Sequence, residues 1–187
     1  LSFLSKTHKR KIVFNSIFKS NHWREYKAPN SGESVSGLGS DLNICKQLIF
    51  DLNFFITKNN IKSILDLACG DFMWMKNIVM ENENIKSYLG LEIVEGIVKN
   101  NNTKYSNNKV KFSLCDVIND EIPENYDLVI MRDFFIHINN NEINHILNKV
   151  KKSNPKFFCI NTFPHVKKNI DIKAFGHHRD INIELDP

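Results

Sequence analysis

The sequence predicts an α/β fold, a doubly wound and mostly parallel sheet with helices on both faces. Three observations lead there. From residue 61 onward, short apolar runs alternate with stretches of helical periodicity, the pattern of βαβ units. The runs are near-continuous in apolar residues, as parallel strands buried on both sides are. With 187 residues, 42% of them hydrophobic, and fourteen Phe against seven Gly, the chain has enough apolar mass for one packed domain.

The strands are IKSILDL (61–67), SYLGLEI (87–93), VKFSLCD (110–116), YDLVIM (126–131) and KFFCINTF (156–163). Between them, Phe72, Met75, Ile78 and Val79 predict a helix over 71–81, EGIVKNNNTKY (95–105) predicts a second, and Ile143, Ile146, Leu147 and Val150 mark a third over 141–153. A further helix at 41–58 precedes the first strand, with Asp41 or Ser40 as its N-cap. Before it lies NSGESVSGLGS (30–40), a Gly- and Ser-rich loop. Residues 1–40 are therefore read as an N-terminal segment and candidate lid, and 41–187 as the main domain.

Charge and cysteine usage narrow the function class. The net charge of +4 comes from scattered lysines, which favours a solvated surface over a nucleic-acid groove. The four cysteines form no CxxC pair, so zinc and a disulfide framework are both disfavoured and a reducing, cytoplasmic setting is expected. No apolar run approaches the roughly 20 residues that span a bilayer, and the basic start is not followed by a signal-peptide core. The chain opens on Leu and stops at NIELDP without a closing element, which reads as a fragment of a longer chain.

The most informative stretch is SILDLACGDFMWM (63–75), a strand running into a helix through a turn with one glycine. A dinucleotide needs G-x-G-x-x-G so that its pyrophosphate can approach the helix N-terminus. Here Phe72 and Met73 crowd that approach and Asp71 repels it, and no GK[ST] follows. NAD and ATP are both poor fits. A phosphate-free ligand with a ribose and an amino-acid tail fits better. Asp66 at the first strand's end can hold an ammonium. Glu92 ends the second strand, 22 residues beyond Gly70, where an acid accepts ribose hydroxyls. Asp116 ends the third, where an acid takes an adenine amino group while Val117 or Ile93 stacks on the ring.

The ordered set LDLACGDF, YLGLEIV, FSLCDV and YDLVIMRD resembles the class I S-adenosylmethionine-dependent methyltransferases, which have a Rossmann-like sheet. It is similar in particular to a bacterial group with SGxGS, CGDFxWM and RDxxxH motifs, present here as SGLGS (36–40), CGDFMWM (69–75) and RDFFIH (132–137). The resemblance implies S-adenosylmethionine as cofactor. It places Asp66, Ala68, Cys69, Gly70 and Asp71 along the methionine part, Glu92 at the ribose and Asp116 at the adenine. The 30–40 loop becomes a lid, with Ser40 near the methionine carboxylate and Trp23 just ahead of it. Two departures stand out. No antiparallel strand pair follows residue 163, so C-terminal strands of the family sheet are expected to be missing. Ala68 stands where many relatives have glycine.

Arg132, Asp133 and His137 follow the fourth strand, above the sheet where acceptors sit. A histidine of ordinary pKa near 6.5 suits removal of a hydroxyl proton, which makes His137 the candidate base; the alternative is a histidine that packs and hydrogen-bonds at the helix start. Arg132 is a candidate for cofactor or acidic acceptor, or a surface partner of Asp133. His177 and His178 lack a third ligand at metal spacing, so no metal is expected. The expected activity is methyl transfer to a small acceptor, an oxygen of a sugar or other metabolite, with no nucleic-acid or membrane partner. The alternative is a cofactor-binding, non-catalytic partner subunit.

Overall fold

Five strands run parallel in the spatial order β3-β2-β1-β4-β5: β1 Ser63–Leu67, β2 Ser87–Glu92, β3 Val110–Leu114, β4 Leu128–Met131 and β5 Phe157–Ile160. The structure is a computed structural model and describes residues 5–22 and 34–185. Strand order reverses between β1 and β4, which makes their carboxyl ends the switch point where open α/β sheets bind ligands.

Alternation along the central strands splits the core in two. Ile64, Leu128 and Ile130 face one layer, with Cys45, Leu52 and Ile56 of α2 (Leu42–Lys58), Ile78 of α3 (Lys76–Val79) and Val98 of α4 (Glu95–Tyr105). Leu65, Leu67, Val129 and Met131 face the other, against Ile143, Ile146 and Val150 of α5 (Asn140–Lys152). Helices therefore cover both faces, as the uninterrupted apolar strands require. No helix among the described residues is long and apolar enough to cross a membrane.

Local signals account for most boundaries. Asp41 caps α2 by accepting from Asn43 N at 2.8 Å. Asn139 and Glu142 form a reciprocal capping box at the start of α5. Two elements depart from expectation. The predicted helix over 71–81 shrinks to Lys76–Val79. Ala68, Gly70 and Phe72 all take left-handed backbone (φ 62°, 58° and 61°), and the amides of Asp71 and Met73 bond to Ser36 Oγ and Asp71 Oδ1 instead of entering a helix. The second departure is a helix, α1 (Lys6–Ser20), that the basic N-terminus had concealed. Ser5 caps it, and it lies against the carboxyl ends of the strands, where Phe14 and Phe18 join Ile93, Val94 and Ile97.

Phe72 is fully buried, with its ring 4.9 Å from that of Tyr88 and 5.1 Å from that of Phe112. Phe72→Ala is expected to lower unfolding stability by about 3–5 kcal/mol, read from denaturant midpoints.

Candidate functional site

The turn after β1 is held from two sides. On the sheet side, Glu92 at the end of β2 gathers three backbone donors: Gly70 N at 3.1 Å on Oε2, and Ile93 N at 2.8 Å and Val94 N at 3.0 Å on Oε1. A carboxylate offers about four acceptor directions, so roughly one remains, on Oε2. Burial pushes the Glu92 carboxyl above its ordinary value, and the three amides offset only part of that rise.

On the other side, residues 34–40 are strapped to the turn by Asp71. Its Oδ2 accepts from Ser34 Oγ at 2.8 Å and Val35 N at 2.7 Å, while Ser36 Oγ accepts from Asp71 N at 2.9 Å. A side chain on Gly70 would place its Cβ 2.5 Å from Ser36 Oγ at φ +58°, so any other residue there would strain the backbone and push Ser36 off the Asp71 amide. Farther along the strap, a Cβ on Gly39 would lie 2.5 Å from Asp133 Oδ2.

A cavity of about 110 Å³ opens beside this turn. Of the residues singled out in the sequence, Asp66, Ala68, Cys69, Gly70, Glu92, Ile93, Ser40, Arg132, Asp133 and His137 all line it. Asp66 is 3% exposed and accepts a 2.7 Å hydrogen bond from Tyr88 OH. Burial raises its pKa to about 7, more than the Tyr88 bond lowers it. The Cys69 thiol is pushed well up by burial, with Asp66 and Glu92 adding to the shift, which leaves it protonated and non-nucleophilic. Arg132 supplies the opposite charge. Its guanidinium lies 5.3 Å from the centre of the buried Trp74 ring and 3.3 Å from Asp133 Oδ2. Asp133, itself left-handed at φ 53°, exchanges two 2.8 Å hydrogen bonds with Asn161 beyond β5.

His137 closes a 3-10 turn, Phe135–His137, with Nδ1 3.0 Å from the His177 carbonyl. A carbonyl only accepts, so Nδ1 carries the hydrogen and Nε2 is the basic nitrogen of the neutral ring. Burial lowers the pKa, outweighing the His177 bond that raises it, and keeps the ring neutral at neutral pH.

Three residues singled out in the sequence stand apart from this cavity. Asp71 faces the strap. Asp116 is 1% exposed and bonds to Arg10 Nη2 at 3.1 Å and Asn119 Nδ2 at 2.8 Å. Burial opposes its ionisation, but Asn119 and Arg10 outweigh that and hold the carboxyl below its ordinary value. Val117 lines a separate space of about 20 Å³ with Asp116, Ile93, Ala68, Arg10 and Phe14. Trp23 lies outside the described residues. Arg10, Phe14, Phe18, Tyr88 and Asn161 were missed. Only the i,i+4 pair Phe14/Phe18 behind a Ser cap had a sequence signal.

The raised Asp66 pKa has a stability consequence of definite sign. Between about pH 4 and 7 the folded chain holds a proton that the unfolded chain releases, so stability falls as pH rises through that window. Relative to Asp66→Asn, the wild type is expected to lose up to about 1.4 kcal/mol per pH unit there, measured by denaturation at a series of pH values.

No protein-family model matches the chain, and a search of curated proteins finds no match. Solved structures do match in fold. The methyltransferase domain of bacterial CtHen1 superposes with a TM-score of 0.55 at 11% identity, over 62% of this chain and 64% of that one. This chain thus spans a little under two thirds of that domain's length. Magnesium protoporphyrin IX methyltransferase (ChlM) from Synechocystis PCC 6803, solved with bound SAM, gives 0.58 at 17% identity over 81% and 73%. The DhpI-SAM-HEP complex gives 0.60 at 12% identity over 86% and 70%. The fold of this chain is the Rossmann-like α/β fold of such methyltransferases.

Proposed function

We propose that this protein is an S-adenosylmethionine-dependent methyltransferase acting on an oxygen of a small acceptor, a sugar or other metabolite. The observation that carries the reading is one cavity at the switch point. In it two buried carboxyls at adjacent strand ends, Asp66 and Glu92, line the same space as the Trp74-backed Arg132. That donor set suits a ligand with an ammonium, a carboxylate and a hydroxylated sugar, without phosphate. The SAM and SAH complexes among the structural neighbours support the same cofactor.

Asp66 would hold the ammonium, and an adjacent cation would favour its ionised form. Glu92 would accept one ribose hydroxyl through the direction left on Oε2, and Arg132 and Ser40 would hold the carboxylate. Ile93 and Val117 would face the purine and Asp116 its amino group. Bound S-adenosylmethionine would supply an electrophilic methyl group. The chain's task is then alignment of the acceptor and removal of its proton. His137 Nε2 takes that proton, its ring oriented through Nδ1 by the His177 carbonyl.

Titration calorimetry with S-adenosylhomocysteine tests the cofactor. Glu92→Gln is expected to weaken binding by about 1.5–3 kcal/mol, roughly one to two decades; equal affinities would remove Glu92 from the site. His137→Gln is expected to slow methylation of a hydroxyl acceptor by about a hundredfold or more while retaining cofactor affinity. Unchanged turnover would make His137 a packing residue.

A further inference from the structure

The N-terminal helix stands where the proposed site needs its base. The ends of β2 and β3 contribute Ile93, Asp116 and Val117. The space that Ile93, Asp116 and Val117 share with Arg10 and Phe14 of α1 is about 20 Å³, room for about one water and not for a purine, and the larger cavity reaches Ile93 and Phe14 but neither Asp116 nor Val117. Phe14 fills much of that region, packed with Ile93, Val94 and Ile97. Arg10, 2% exposed, takes the Asp116 carboxylate at 3.1 Å and reaches Glu142 of α5 at 2.6 Å. The base is thus mimicked twice, by an aromatic ring between the strand ends and by a donor on the acid. The fit is built in: a Cβ on Gly96, in the first turn of α4, would lie 2.6 Å from Phe18 Cε1.

The same contact carries a defect. Arg10 Nε is the one buried side-chain polar atom among the described residues that has no hydrogen-bond partner. A buried donor left unpaired carries a desolvation penalty, so the docked helix is held less firmly than its two ion pairs suggest. A contact that blocks a subsite and is weakened at its centre is suited to exchange.

From this juxtaposition we infer that α1 is an internal competitor for the base subsite: Arg10 and Phe14 latch it onto Asp116 and the Ile93 wall, and the nucleoside end of the cofactor binds by displacing them. The inference rests on the cofactor reading above. Affinity for the cofactor is then reduced by the fraction of molecules in which the latch is open.

The test compares S-adenosylhomocysteine affinity of the full chain as wild type, Phe14→Ala and Arg10→Ala, with hydrogen exchange of residues 6–20 in the presence and absence of ligand. Phe14→Ala leaves both ion pairs in place, so it remains informative if Arg10→Ala leaves Asp116 and Glu142 too strained to fold. A latch closed nine times in ten predicts roughly tenfold tighter binding by the variants, and faster exchange along α1 when the wild type is saturated. Equal or weaker binding by Phe14→Ala, with α1 amides unchanged or slowed by ligand, would make α1 a fixed wall and overturn the latch while leaving the cofactor reading intact. Failure of all three proteins to bind would overturn the cofactor reading and the latch with it.

Discussion

The geometry of the site depends on a carboxylate, Glu92, that binds backbone before it binds anything else. Its three amide partners come from both sides of the sheet's carboxyl edge, one from the turn after β1 and two from the chain leaving β2. A turn with left-handed residues at Ala68, Gly70 and Phe72 has few internal hydrogen bonds of its own, and each left-handed non-glycine residue costs about 1–2 kcal/mol. Glu92 on one side and the Asp71–Ser36 strap on the other offset that cost and fix the turn. Removing either would loosen the cavity floor.

Charge in the cavity is arranged by depth. Asp66 and Glu92 are both buried and raised by burial, so the cavity floor favours a positive ligand group over two bare carboxylates. Arg132 lines the same cavity, partly exposed, with its guanidinium over Trp74 and tied to Asp133. The pairing matters because Arg132 is then held at a set place rather than swinging in solvent, and a planar guanidinium so held matches a carboxylate well.

Much of this was legible in the sequence because it follows from period and position. Parallel strands announce themselves by unbroken apolar runs, and residues at successive strand ends must meet at one edge, which is why Asp66, Glu92, Ile93 and Arg132 share one cavity. What escaped depends on distant partners. The helix expected over 71–81 shortens because its amides are claimed by Ser36, 35 residues upstream, and by Asp71 itself. Asp116 and Val117 lie where their strand ends must put them, but Arg10, 106 residues away, reaches Asp116 first. A basic, weakly patterned N-terminus gives little warning that one of its arginines is buried. Asn161 was invisible because its role exists only through Asp133.

Gly39 and Gly96 differ in kind from Gly70. Neither needs a left-handed backbone; each is small because a partner has come too close, the Asp133 carboxylate in one case and the Phe18 ring in the other. Both partners belong to segments that cover the cavity or hold its cover in place. The fitness of a residue at 39 therefore depends on which acid stands at 133, and that at 96 on which ring stands at 18. The strap brings its own glycine to the Asp133 carboxylate, whereas the N-terminal helix needs a glycine on the surface that receives Phe18, so the two covers are matched to their docking surfaces from opposite sides.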